Sequence, residues 1–325
     1  MKVLGMGNAL VDMIYQLQDD SILERFILPK GSMTLIDGKR LADMERSLQE
    51  LTPVMISGGS AANTVHGLNA LGVETGFIGS VGQDIQGGFY MEEMLRLGIR
   101  PHFLRSGQAS GRAMAFVTPD SERTFATFLG AALDLQPALL DEDWFRAYDI
   151  FHIEGYLVQN YELIESALRL AHQAGCRISL DLASYNVVEE HLGFLRRIVP
   201  EWVDILFANE EEARAFTGKD PEGALQEISG MCDVAVVKRG SEGALVMQGG
   251  RRYDLLPHRV DPVDTSGAGD LFAAGFLFGF TRAYDPEVSG MIGNLIASKV
   301  IGVLGPKIPV SLWPELKEEL KLYEG

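Results

Sequence analysis

The stretch from Val263 to Gly279, "VDTSGAGDLFAAGFLFG", falls into two unlike halves. The first half is small and polar, with Asp264 and Asp270 bracketing Gly267, Ala268 and Gly269. The second, from Leu271, is apolar and rich in small residues, the composition of a buried helix. A glycine turn at a helix start presents backbone amides that hold anions. Gly267 and Gly269 allow a tight turn with no Cβ in the way. Asp270 at the same place has two readings. It either caps the helix, or it accepts a proton from a hydroxyl while the amides stabilise charge on a transferring phosphoryl group. In the second reading, Mg²⁺ and nearby donors screen the repulsion between carboxylate and phosphate.

Composition narrows the classes. The chain has 325 residues and is 46% hydrophobic, enough for one large α/β domain or two ordinary ones. Its 28 basic and 45 acidic residues leave a formal charge of −17, which argues against nucleic acid as a partner. Cys176 and Cys232 stand far apart in no metal-ligand spacing and read as free thiols in a reducing compartment. The N-terminus is interrupted by Gly5, Gly7, Asn8 and Asp12, unlike a signal peptide. No run reaches the ~20 apolar residues of a membrane span, so the expectation is a cytoplasmic protein with no membrane partner.

Hydrophobic rhythm sets the fold class. From about Asp149, strands such as "DIFHIEGYL", "RISLDLA" and "VDILFA" alternate with helices such as "YELIESALRLAHQAG". That order predicts a doubly wound, mostly parallel sheet with helices on both faces. "VAVVKRGSEGALVM" reads as strand, turn, strand, and "SGGSAANTVHGLNALG" as a glycine turn entering a helix. Segments near 13–40 and 100–130 alternate like hairpin strands and break the α/β rhythm. They are expected to form a small inserted β lid on a single domain spanning 1–325. A sheet that small needs a partner surface, and pairing of lids predicts a homodimer.

"DTSGAGDLFAAGF" resembles the C-terminal signature of the ribokinase-like PfkB family of carbohydrate and nucleoside kinases. "SGGSAANTVHGLNALG" is similar to the family's N-terminal di-glycine signature. "NEEE" at 209–212 matches its Asn-x-x-Glu element, and "VKRGSEGALV" its nucleotide-side strand–turn–strand. All occur in the family's order across nearly the whole chain. The resemblance implies the ribokinase-like fold and transfer of the ATP γ-phosphate to a hydroxyl of a nucleoside or sugar. It assigns Asp270 as the base and Gly267, Ala268 and Gly269 as the anion hole. No Gly-x-x-x-x-Gly-Lys-Ser/Thr sequence is present to supply a P-loop instead.

The resemblance extends to other positions. It implies that Asp12, Gly58, Gly59, Asn63 and Glu154 meet the acceptor. Asn209, Lys238, Gly240 and Gly243 are placed on ATP, with Asn294 and Ala297 against its base. Asn209 and Glu212, one helical turn apart after a strand, suit Mg²⁺ held through water. Asp264 and Ser266 match a position where relatives bind a monovalent cation such as K⁺. Arg123 reads either as a solvated hairpin charge or as a phosphate contact made on lid closure.

The acceptor is read from longer strings. "SERTFATFLGAA", "IEGYL" and "DILFANEEE" are more similar to the bacterial adenosine-kinase-like branch than to ribokinase or fructokinase. Phe103, Phe125, Phe128 and Tyr156 could offer an aromatic shelf for a base. A ribokinase- or fructokinase-like sugar kinase is the alternative, and a catalytically silent binding protein a second. "GMGNAL" at 5–10 lacks the third glycine of a dinucleotide fingerprint, having Leu10 there.

Overall fold

The computed structural model describes residues 1–120 and 122–323. Its strands, in chain order, are β1 (Val3–Met6), β2 (Leu10–Gln16), β3 (Met33–Leu35), β4 (Val54–Gly58), β5 (Thr75–Gly82), β6 (Arg100–Ser106) and β7 (Gly111–Val117). They continue with β8 (Arg123–Phe128), β9 (Ile150–Glu154), β10 (Arg177–Asp181), β11 (Ile205–Asn209), β12 (Val234–Lys238), β13 (Ala244–Gln248) and β14 (Arg251–Leu255).

Nine strands form one sheet in the order β14-β13-β12-β11-β10-β9-β1-β5-β6. Every pairing from β12 to β6 is parallel, and β13 and β14 add antiparallel at one edge. Alternation along the strands explains the layering. Leu4, Met6, Phe151, Ile153, Ile178, Leu180, Leu206 and Ala208 lie in one core. Val3, Ile150, Ile205 and Phe207, their neighbours in the chain, lie in the other. Successive side chains point to opposite faces. Helices cover both faces, so these strands read as continuous apolar runs. The first core is completed by helices Tyr161–Gln173, Leu192–Trp202 and Glu210–Thr217. The second is completed by helices Ala268–Thr281 and Pro286–Ile301.

The small residues of "LFAAGFLFG" have a packing reason. A Cβ on Gly275 would stand 2.8 Å from Gly293 Cα, and one on Gly279 2.6 Å from Ser289 Oγ. The two closing helices therefore approach backbone to backbone.

The remaining strands form a second sheet, β3-β8-β7-β2-β4. Val11, Met13, Tyr15, Met114 and Phe116 pack with Leu23, Leu41 and Met44 of helices Ser21–Arg25 and Gly38–Ser47. Asp12 and Ile14, the alternate residues of β2, line the opposite face, toward a cleft. Two boundaries differ from the sequence reading. Residues 100–106 form β6, an edge of the large sheet, because helix Ile85–Arg96 carries the chain over to run parallel with β5. The small sheet instead recruits β4, antiparallel to β2. Helices Ser21–Arg25 and Gly38–Ser47 cover the face of the small sheet turned away from the cleft. Among the described residues, no helix is long and apolar enough to cross a membrane.

Candidate active site

Glu154, Asp181, Asn209 and Lys238 are the last residues of four successive neighbouring strands, β9 to β12. Polar groups thus gather at the carboxyl edge of the parallel sheet, where open α/β folds bind ligands. A cleft of about 1500 Å³ opens there between the two sheets. Asp12 and Phe125 line it from the small sheet, Lys238 and Asn209 from the large one, and Gly267 to Asp270 from the closing helix.

Asp270 does not cap its helix. Gly267, at φ +75°, is the N-cap, and no side chain caps the helix Ala268–Thr281. The Asp270 carboxylate reaches instead to helix Ser60–Ala70. Ser60 Oγ donates to Oδ1 at 2.6 Å and Asn63 Nδ2 donates to Oδ2 at 2.9 Å. Thr64 Oγ1 also donates to the Asp270 carbonyl at 3.1 Å. Burial raises the carboxyl to about 6, while the Ser60 and Asn63 hydrogen bonds pull it down. This is a range suited to a general base at neutral pH. The Ala268 amide donates to Thr265 O at 3.2 Å, whereas first-turn amides such as Gly269 and Asp270 have no carbonyl one turn back inside the helix. A side chain on Gly267 would meet Pro306 O at 2.7 Å, so the turn depends on glycine.

The "NEEE" element is a reciprocal capping box. Asn209 Oδ1 accepts from the Glu212 amide at 2.8 Å, and Glu212 accepts from the Asn209 amide at 2.8 Å and from Asn209 Nδ2 at 2.7 Å. Glu210 and Glu211 are exposed. Glu212 is buried yet lines the cleft, and burial raises its carboxyl to about 7. The lone pairs left on this carboxylate suit a hydrated Mg²⁺ better than a direct ligand cage. Among the described residues, no three His, Cys, Asp or Glu side chains converge as a direct metal site.

Asp12, Gly59 and Asn63 line the cleft. Burial pushes the Asp12 carboxyl up to about 7. Gly58 stands behind Asp12: a Cβ there would meet its carboxylate at 2.5 Å. Gly59 takes φ +104°, and a Cβ there would collide with Asn8 O. Phe125 and Tyr156 face the cleft. Phe103 instead packs edge-on against Phe77 and Tyr90, and Phe128 packs with the small-sheet core.

Glu154 departs from the sequence expectation. It is 1% exposed and does not line the cleft. Oε1 accepts from the Asn8 amide at 2.9 Å and Asn8 Nδ2 at 3.0 Å, and Oε2 from the Ala61 amide at 2.8 Å. It ties the segment after β1 to the start of the signature helix.

Asp264 also departs from it. Its Oδ1 accepts from the Ser266 amide at 3.0 Å, and Oδ2 from the Gly305 amide at 2.6 Å. Oδ2 is further paired with Arg123 Nη1 at 2.7 Å. The guanidinium and two amides take up the carboxylate. Ser266 lines the cleft, and so does Arg123, which is half-buried and paired with Asp264.

On the other arm of the cleft lie Gly240, Gly243, Asn294 and Ala297. Asn294 Nδ2 donates to Leu256 O at 2.9 Å and fastens the segment after β14. Two residues were missed by the sequence reading. Ser60 lies inside the signature already quoted and orients Asp270. Asp181 pairs with Lys238 at 2.7 Å. Its signal was its place at a strand's end, level with Asn209 and Lys238.

Amide donors at a helix start, a lysine ammonium and a carboxylate thus meet in one cleft, an arrangement with the chemistry that phosphoryl transfer without a P-loop requires. Comparison with known proteins agrees: residues 30–312 match the pfkB family carbohydrate kinases. The chain belongs to that family and is an ATP-dependent phosphotransferase acting on a sugar or nucleoside. It is 31% identical over 244 residues to an uncharacterised sugar kinase of Archaeoglobus fulgidus, covering 74% of this chain and 96% of the relative. A probable sugar kinase from Rhizobium etli superposes with a TM-score of 0.87 at 34% identity, covering 98% of each chain. Adenosine kinase from Sinorhizobium meliloti superposes with a TM-score of 0.86 at 34% identity, covering 98% of this chain and 99% of that one.

Proposed function

We propose that the acceptor is an adenosine-like nucleoside, with Asp270 as the general base and the turn from Gly267 to Gly269 as the anion hole. The observation that carries this reading is the acceptor side of the cleft. Asp12 offers a carboxylate for a ribose diol, while Ile14, Ala115, Phe125 and Tyr156 make an apolar and aromatic wall beside it. Such a wall suits a flat base, whereas a simple sugar would need more hydroxyl partners. The likeness to the Sinorhizobium meliloti adenosine kinase supports the same reading.

In the proposed reaction, the nucleoside hydroxyl lies beside Asp270, whose orientation is set by Ser60 and Asn63. Asp270 takes the hydroxyl proton as the oxygen attacks the γ-phosphorus of ATP, and ADP leaves. The amides at the turn receive the developing charge on the phosphoryl oxygens. Asn209 and Glu212 would hold Mg²⁺, which supplies charge neutralisation on the phosphates. ATP consumption should be followed with adenosine, other nucleosides, ribose and fructose. Preference for adenosine in kcat/KM supports the proposal. Preference for ribose or fructose gives the sugar-kinase alternative, and no turnover with any acceptor gives the silent binding protein.

The homodimer expected through the small sheet is proposed at its edge strands. Met33, Leu35 and Val54, on the two edge strands of the small sheet, are exposed apolar residues that a second copy could cover. Light scattering at micromolar concentration tests it, and a strict monomer overturns it.

A further inference from the structure

Lys238 closes β12 and Asp181 closes β10, on either side of Asn209. Lys238 Nζ donates to Asp181 Oδ2 at 2.7 Å, and the two side chains are only 13% and 6% exposed. An ammonium has three donors. Among the described residues, Asp181 is the one hydrogen-bond partner of this one. The same Nζ lies 3.0 Å from where a Cβ on Gly269 would stand, so the ammonium rests against the turn that precedes Asp270.

Asp181 is itself held from behind. Its Oδ1 accepts from the Ala183 amide at 3.0 Å. Ala183 sits at φ +66°, a left-handed conformation that is strained for a non-glycine residue. The Ala183 carbonyl accepts from Tyr156 Oη at 3.2 Å. A strained residue at the cleft wall thus aims a carboxylate at a lysine, and the lysine at the turn.

We propose that Lys238 is a catalytic residue that donates its two remaining N–H groups to oxygens of the transferring phosphoryl group, and that Asp181 is the positioning residue that holds the ammonium there. The assignment rests on the reading of the Asp270 turn as the phosphoryl site. The pair acts as a unit. A largely enclosed ammonium without Asp181 would face desolvation with Glu212 and Asp270 as its remaining nearby negative charges. Asp181 without Lys238 would be a buried, unpaired carboxylate.

The test uses the whole protein in four forms: wild type, Lys238→Met, Asp181→Asn and the double variant. Lys238→Met should lower kcat by about 10²-fold or more, the scale of a lost transition-state donor. ADP affinity should stay nearly unchanged, while affinity for ADP with aluminium fluoride and acceptor falls with kcat. Asp181→Asn should lower kcat together with affinity for ADP with aluminium fluoride and adenosine, while ADP affinity holds. The double variant carries no buried unpaired charge, so its folding is protected, and it should be no slower than Lys238→Met alone. Additive losses in the double variant, normal turnover in Asp181→Asn, or equal losses in ADP and ADP–fluoride binding would each overturn the inference. Asp270→Asn separates the two levels. If that variant is inactive and Lys238→Met turns over normally, this inference fails alone; if Asp270→Asn is active, the reading of the site beneath it fails.

Discussion

Ser60 Oγ lies 2.6 Å from Asp270 Oδ1, two residues separated by 210 positions in the chain. The contact joins the helix that follows the di-glycine turn to the helix that follows the Gly-Ala-Gly turn. It makes Ser60 part of the machinery that sets the state of the base.

The consequence is a pH profile with a defined sign. A base must be deprotonated to act, so kcat/KM should fall as pH drops through about 6, the value to which burial raises Asp270. The Ser60 hydrogen bond stabilises the carboxylate and lowers that value. Ser60→Ala should therefore move the acid limb to higher pH, with activity at pH 8 less affected than at pH 6. A limb that stays in place shows that the hydroxyl does not tune the base.

Glu212 and Glu210 should separate cleanly. Glu212→Gln keeps oxygen for the capping box but loses the charge, so the Mg²⁺ concentration for half-maximal rate should rise. Glu210 is exposed and its removal should leave that requirement unchanged. Glu212→Ala should in addition lose about 1 kcal/mol of stability with the cap. Equal Mg²⁺ responses from Glu212→Gln and Glu210→Ala would leave the element a helix cap only.

Asp264 is already paired with Arg123 and two amides. Turnover should be the same in K⁺, Na⁺ or choline salts at constant ionic strength. Arg123→Ala frees the carboxylate and should make turnover respond to the monovalent cation. Strong K⁺ activation of the wild-type enzyme would contradict the observed pairing.

Glu154 should act on stability. Replacing it with Ala strands the donors of Asn8 and Ala61, each costing about 1–3 kcal/mol if left unsatisfied. Thermal denaturation should show a lower Tm, and KM for the acceptor should change no more than KM for ATP. A selective rise in acceptor KM at unchanged Tm would return Glu154 to the acceptor site.

Much of this was legible from local pattern. The buried strands from β9 to β12 announce themselves because a strand covered on both faces needs apolar residues at every position. The Asp270 turn is legible because only glycine tolerates its geometry, and Asn209 with Glu212 because a capping box has a fixed spacing of three. β6 was misplaced for a similar local reason. "RPHFLRS" alternates like an edge or hairpin strand, and nothing within it says which sheet it joins.

The sequence by itself determined the alternation of strands and helices, the glycine turn, and the residues available at each strand's end. Those features depend on contacts a few residues apart, governed by backbone sterics and the periodicity of burial. Tertiary structure alone decided that Asp270 turns to Ser60 and Asn63 instead of capping its helix. It decided that Glu154 serves backbone amides, that Arg123 takes Asp264, and that Lys238 finds Asp181. Each of these is a choice of partner for a buried polar group. A buried charge must find donors or a counterion wherever packing brings them, and those partners lie from 57 to more than 200 positions away, where no local spacing records them.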